Sequence, residues 1–221
     1  MSENTGPMTF ERFKVKPGYV GVAIPGTEVA IASDGEVICR GGHVFEGYLN
    51  DPEKTAEAVD ADGWLHTGDI GELDADGYLR IVDRKKELII TAGGKNISPA
   101  NLEAALKTHP LIGQAMAIGD QRPFVSALVV IDGEVAPAWA ARNGIEFTTL
   151  EEFAELPEVV QAIEEGVEEA MQTFNNAERV KKVRILTEEW LPDSDLLTPT
   201  SKLKRRGVNA RYADEIEALY N

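Results

Sequence analysis

Apolar positions alternate with polar ones through the first third of the chain. Val20–Ile24, Glu28–Ala32 and Glu36–Arg40 are short runs rich in Val and Ile, a pattern that predicts strands. Ser33-Asp34-Gly35 between the last two is a hairpin turn signal. Asn50-Asp51-Pro52 predicts the start of a brief helix, Glu53 to about Val59, with an oxygen cap ahead of a proline in the first turn. Ile70–Leu73 and Tyr78–Val82 read as two further strands joined by Asp74-Ala75-Asp76-Gly77. Asp83–Glu87 is a run of charged residues, ill suited to the middle of a buried strand. It predicts a hinge over 83–87 that divides a β-rich segment, 1–82, from the rest, 88–221.

Past the hinge, strand and helix periods alternate. Ser98-Pro99 predicts a helix with Leu102, Ala105 and Leu106 on one face, ended by His109-Pro110. Ala115–Ile118 and Val125–Ile131 read as buried strands. Glu134–Arg142 reads as a helix stopped at Asn143-Gly144. Thr149 and Glu152 have capping-box spacing. Pro157–Phe174 reads as a longer amphipathic helix, with Val160, Ile163, Val167, Ala170, Met171 and Phe174 following its period. Val183–Leu186 reads as a strand, and Val208, Tyr212, Ile216 and Leu219 line one last helix. The expected class is α+β.

Composition narrows the function classes. Hydrophobic residues make up 43% of the 221, enough for packed cores. The 22 basic residues against 38 acidic ones leave a formal charge of −16, which argues against nucleic acid or an anionic membrane as the main partner. Cys39 is the single cysteine, so no intrachain disulfide forms, and a reducing, cytoplasmic setting fits. No apolar run reaches the length of a membrane span, and the opening MSENTGPMTFERFK lacks the apolar segment of a signal peptide. Peripheral contact with a membrane surface stays open.

Four places carry candidate chemistry. GWLHTGDIG, 63–71, reads as a glycine-rich turn beside Asp69, whose two carboxylate oxygens suit the vicinal hydroxyls of a ribose. The plainer alternative is a turn aspartate that caps local backbone. Arg84 has fixed donors that could reach the same ribose, or it belongs to a solvated charge run with Lys85, Lys86 and Glu87. Gly93-Gly94 lacks Cβ atoms and would admit a slim ligand, or is an ordinary loop; Lys95 beside it is a phosphate candidate. TPTSKLKRR, 198–206, concentrates Lys202, Lys204, Arg205 and Arg206 in an otherwise acidic chain, either as a solvated basic patch or as an anion site. His43, His66 and His109 show no metal-ligand spacing and read as surface or loop histidines.

Taken in order, GWLHTGD, DRKKELIITAGGKNISP and TPTSKLKRR resemble the adenylate-forming enzymes, and most of all the long-chain fatty-acid–CoA ligases. FNNAERVKKVRIL, 174–186, resembles the stretch before the lysine loop in long-chain members. The resemblance runs over nearly the whole chain. It implies a small β-barrel-like subdomain followed by a mobile α+β C-terminal domain. It implies nucleotide contacts from Asp69, Arg84 and Ser2, with Ser2-Glu3 as the tail of a Tyr-Gly-x-Thr/Ser-Glu motif whose glutamate helps hold Mg²⁺; at a chain terminus these two would be frayed. It implies Lys86 as the hinge residue, Gly93, Gly94 and Lys95 beside the coenzyme A channel, and Lys202 as the catalytic lysine, with Lys204 as the alternative register. ATP, a fatty acid and coenzyme A are the implied small-molecule substrates. The phosphate-cradling loop and acyl tunnel would lie in a missing N-terminal domain, so the chain alone is expected to be inactive. Two other readings stay open: an enzyme that loads a carrier-protein thiol, and a non-catalytic module that contacts a partner through the acidic helix Glu151–Glu169.

Overall fold

A computed structural model describes every residue except Arg12. Two compact units divide it, Met1–Glu87 and Leu88–Asn221.

The first unit is mostly sheet. Strands β1 (Thr9–Phe10) and β2 (Val22–Ala23) form a two-stranded antiparallel ribbon. β3 (Thr27–Ile31), β4 (Glu36–Gly41), β5 (Leu65–Leu73) and β6 (Leu79–Arg84) form an antiparallel meander in that order. Helix α1 (Pro52–Ala58) interrupts it, capped by the Asp51 carboxylate, which accepts from Lys54 N–H at 3.1 Å. The sheet buries Val37, Cys39, Leu65 and Leu79 completely.

Three details differ from the sequence expectation. Thr67-Gly68-Asp69 is no turn: it lies within β5 as a bulge between the Ile38–His66 and Glu36–Ile70 pairs, with Gly68 at φ +71°. Asp83 and Arg84 end β6, and only Lys85–Glu87 form a 3-10 turn; Asp83 is buried at a strand end, where a charged side chain can still find partners. Ser2–Asn4 are folded rather than frayed. They form a 3-10 turn fixed by Phe45 N–H donating to Glu3 O at 2.8 Å, while Asn4 is buried and accepts from the Cys39 thiol.

The second unit opens with a small hairpin, β7 (Ile89–Ile90) and β8 (Asn96–Ile97). Helix α2 (Pro99–Leu106) follows, capped by Ser98, whose hydroxyl accepts from Asn101 N–H. β9 (Ile112–Ile118) and β10 (Val125–Ile131) pair antiparallel. After α3 (Ala136–Asn143), α4 (Leu150–Glu155) and α5 (Pro157–Met171), β11 (Val180–Leu186) pairs parallel to β10, giving the order β11-β10-β9.

Every residue of β10 is buried. Its alternation serves two cores: Val125, Ala127, Val129 and Ile131 pack with Leu102, Leu106, Phe153 and Ile163 on one side. Leu128 and Val130 pack with Trp190, Val208, Tyr212 and Ile216 on the other. The single last helix expected from the sequence is two, α6 (Arg205–Arg211) and α7 (Ala213–Ala218), broken where Tyr212 takes φ −112°, ψ 33°. The Tyr212 hydroxyl donates to Glu188 and accepts from Trp190 Nε1–H, an anchorage that a straight helix would have to match.

Candidate functional site

β5 and β6 build the site of the first unit. Asp69 and Arg84 are opposite partners in their ladder, and Arg84 Nε lies 3.0 Å from Asp69 Oδ1. Thr67 orders the bulge: its hydroxyl donates to Val37 O at 2.7 Å and accepts from Asp69 N–H at 3.1 Å. Burial pushes the Asp69 carboxyl above the usual aspartate value, against the pull of Arg84. The pair is not sealed in: the side chains keep 25% and 62% of their exposure.

Beside this pair is a cleft of about 710 Å³, lined among others by Glu3, Tyr48, His66, Gly68, Arg84 and Lys86. Tyr48 donates its hydroxyl to Glu3 Oε1 at 2.9 Å. Backbone and Tyr48 hydrogen bonds hold the Glu3 carboxyl below its ordinary range, so it is ionised and faces the cleft. Ser2 is exposed in the same short turn, and Lys86 is exposed in the turn after β6.

Sequence reasoning missed a second cluster on this cleft. Glu36 is 4% exposed, yet it accepts from Gly68 N–H at 2.8 Å, from Lys85 Nζ at 2.9 Å and contacts His66 Nδ1 at 2.9 Å. Lys85 also reaches Asp34 at 2.6 Å. Burial pushes the Glu36 carboxyl up, but His66, Lys85 and the Gly68 amide together hold it below its usual value. His66 is a strand residue rather than a loop histidine. Its hydrogen bond to Glu36 raises its pKa, with Asp60 assisting at 3.4 Å. Alternation carried no signal for it: Glu36 shares a strand face with Ile38 and Arg40, opposite the buried Val37 and Cys39, and its burial comes from His66, Gly68 and Lys85, which lie far from it in the chain. Of the other histidines, His43 follows β4 and lies 3.4 Å from the Thr27 hydroxyl, while His109 is half-buried, which lowers its pKa.

In the second unit, Gly93-Gly94 occupies the tip of the β7–β8 hairpin. Of the two, Gly94 takes positive φ, +78°, and Gly93 does not. A Cβ at Gly94 would meet nothing within 4 Å, so the tip is open. The hairpin is pinned to the β9–β10 turn by Ala92 N–H donating to Arg122 O and Gln121 N–H donating to Ile90 O. Lys95 is committed to Glu178 at 2.9 Å, which leaves its ammonium engaged rather than free for a phosphate.

Lys202 projects from a tight loop. Its N–H donates to the Thr198 hydroxyl, its carbonyl accepts from Thr198 N–H, and Leu197 bridges Leu203 beneath. Lys202 is exposed, and its ammonium has no partner among the described residues. Lys204, the alternative, donates its ammonium to Ser194 O at 2.7 Å and precedes α6. Arg205 is half-buried and forks onto Glu103 at 2.7 and 2.9 Å, so the basic cluster is not one patch: Lys204 and Arg205 are tied, while Lys202 and Arg206 are exposed cations without a partner among the described residues.

Among the described residues, no three His, Cys, Asp or Glu side chains cluster as a metal site, and no helix is long and apolar enough to cross a membrane.

Residues 86–221 match the family described as the AMP-binding enzyme C-terminal domain. The chain is 44% identical over 223 residues to FadD15, a long-chain-fatty-acid–CoA ligase of Mycobacterium bovis, covering 100% of this chain and 37% of that protein. It is 39% identical over 244 residues to the long-chain-fatty-acid–CoA ligase ACSBG1 of Bos taurus, covering 100% of this chain and 34% of that one. The chain thus spans about a third of the length of the curated relatives it matches. Among solved structures, the A domain of carboxylic acid reductase from Segniliparus rugosus, in complex with AMP and a co-purified carboxylic acid, superposes with a TM-score of 0.70 at 25% identity, over 91% of this chain and 32% of that one. The fold is that of the adenylate-forming enzymes, and the chain belongs to the AMP-binding enzyme C-terminal domain family.

Proposed function

We propose that this chain is the C-terminal part of an AMP-forming fatty-acid–CoA ligase. The observation that carries the reading is the Asp69–Arg84 pair beside the 710 Å³ cleft: a fixed carboxylate that accepts from vicinal hydroxyls, with a cation behind it, as a ribose requires. The identity to two long-chain-fatty-acid–CoA ligases supports the substrate class.

The mechanism has two half-reactions. A fatty carboxylate oxygen attacks the α-phosphorus of ATP, the bond to the β-phosphate bridging oxygen breaks, and acyl-adenylate and pyrophosphate result. Asp69 accepts from the ribose hydroxyls, Arg84 steadies Asp69, and Ser2 contacts the nucleotide. The free ammonium of Lys202 stabilises the negative charge that develops between carboxylate and α-phosphate. The thiol of coenzyme A then attacks the acyl carbonyl, AMP leaves, and the thiol proton is released. For this step the second unit turns about Lys86, withdraws Lys202 and presents Gly93-Gly94 to the pantetheine arm. Each orientation lowers a different barrier.

The one oxygen of Glu3 not bound to Tyr48 fits Mg²⁺ in the way that ion is usually held, by one or two carboxylates plus substrate phosphates. When bound, Mg²⁺ would neutralise phosphate charge.

The test is Lys202→Ala in the full-length enzyme, with the half-reactions assayed apart. Acyl-adenylate formation should fall on the order of a hundredfold or more, while thioester formation from supplied acyl-adenylate stays nearly intact. Equal loss in both steps rejects the role of Lys202. Preference for a phosphopantetheinylated carrier over free coenzyme A would move the enzyme to the carrier-loading class. Turnover by the 221-residue chain alone would overturn the dependence on an N-terminal domain.

A further inference from the structure

Glu103 is a carboxylate in a poor place for one. It sits on α2 at 6% exposure, and burial raises its pKa even against Arg205. A charge left unpaired there would be strongly destabilising. Its partners are specific. Oε1 accepts from Arg205 Nη1 at 2.7 Å and from Ala117 N–H of β9 at 2.9 Å, and Oε2 accepts from Arg205 Nη2 at 2.9 Å. One side chain therefore ties α2, β9 and the first residue of α6 together.

The position of Arg205 gives this pair its consequence. Lys202 lies three residues before it, in a mostly exposed loop whose hydrogen bonds are all short-range and whose Leu203 rests on the core. Glu103 lies in the helix that directly follows the glycine hairpin. Bidentate guanidinium–carboxylate contacts fix orientation as well as distance, which a lysine in the same place would not do.

We propose that Glu103 and Arg205 are positioning residues: a buried brace that holds the Lys202 loop in a fixed relation to α2. This inference rests on the reading of Lys202 as the adenylation lysine. The brace acts on one loop more than the other. The glycine hairpin has its own anchors in Arg122 O and Gln121 N–H, whereas the base of the lysine loop is set by where α6 begins. Loosening the brace should therefore impair the step that uses Lys202 and spare the step that uses Gly93-Gly94.

The experiment compares Arg205→Lys, which keeps the charge and loses the fork, with Glu103→Gln, which keeps an oxygen for Ala117 N–H and loses the charge. In the full-length enzyme each should lower acyl-adenylate formation by on the order of tenfold to a hundredfold, the scale of a small misplacement of a catalytic group. The KM for ATP should be unchanged, and thioester formation from supplied acyl-adenylate should stay within about twofold. In the 221-residue chain, amides 198–204 should exchange hydrogen faster in either variant, while those of β9 and β10 keep their protection. Equal loss in both half-reactions would mark a general loss of fold and overturn the proposal. So would unchanged loop exchange with unchanged adenylation in both variants. A Lys202→Ala enzyme that still adenylates would instead refute the lysine assignment, an outcome the brace variants cannot produce.

Discussion

Asp69 and Arg84 face each other across the β5–β6 ladder, and the guanidinium Nε meets the carboxylate at 3.0 Å. The backbone pairing that brings them together is set by two bulges, one at Thr67–Asp69 and one between Ile70 and Gly71, so their meeting is a property of the strand register. Replacing Asp69 with alanine in the full-length enzyme removes the proposed ribose acceptor. Each hydrogen bond to a charged group is worth roughly 1.5–3 kcal/mol. The KM for ATP should rise at least about tenfold, with the fatty-acid KM little changed. Unaltered ATP saturation would remove Asp69 from the nucleotide site.

Lys202 and Lys204 should part company under mutation. The Lys204 ammonium is already bound to Ser194 O within its own unit, so Lys204→Ala trims a loop contact of about 1 kcal/mol. Adenylation by that variant should stay within a few-fold of the parent, in contrast to Lys202→Ala. The reverse ranking in a pyrophosphate-release assay would shift the catalytic register by two residues.

His66 should make stability depend on pH in a definite direction. Its pKa is raised in the folded chain by Glu36, with Asp60 adding and Lys85 sharing the Glu36 carboxylate. A raised value means the contribution is full below the unfolded pKa of about 6.5 and fades as pH climbs through the folded value. His66→Gln should therefore lower the melting temperature most below about pH 6.5 and least at alkaline pH. A deficit that grows with alkalinity would show that the imidazole is bound in its neutral form.

Gly71 is held by contact rather than by torsion. A Cβ there would lie 2.6 Å from the Val37 side chain and 2.8 Å from Arg80 O. Gly71→Ala should destabilise by about 1–3 kcal/mol as measured by chemical denaturation of the first unit. Gly93→Ala, whose Cβ would meet nothing closer than Thr91 at 3.9 Å, should leave stability unchanged.

How much of this was legible in the sequence follows from where the determinants lie. The Asp51 and Ser98 caps, the Ser33–Gly35 hairpin turn and the bounds of β10 are written in neighbouring residues, and they were readable. Thr149–Glu152 shows the edge of that reach: the Thr149 hydroxyl accepts from Glu152 N–H as expected, but the Glu152 carboxylate returns to Thr148 N–H rather than to Thr149 itself. The hidden parts depend on residues far apart in the chain. Thr-Gly-Asp looks like a turn until β4 is laid beside it. Tyr212 looks helical until Trp190 and Glu188 claim its hydroxyl. Glu36 with His66, and Glu103 with Arg205, are ordinary charges in the sequence and become informative only once burial brings them together. The resemblance singles out Asp69, Arg84 and Lys202 as the proposed site residues, whereas the side chains that hold them are not visible to it.

The two neighbours of β10 bear on how the protein is made. β9 precedes it directly and can zip onto it as a local hairpin, whereas Val125 must wait for Val180 on the far side. During translation the middle strand therefore leaves the ribosome with one edge unpaired until three helices and then β11 have followed it out, and with its Leu128–Val130 face bare until Trp190, α6 and α7 emerge. Late-pairing segments of this kind fold slowly and are prone to wrong contacts. Ribosomal pausing or chaperone capture should centre on the synthesis of the residues between β10 and the end of α7.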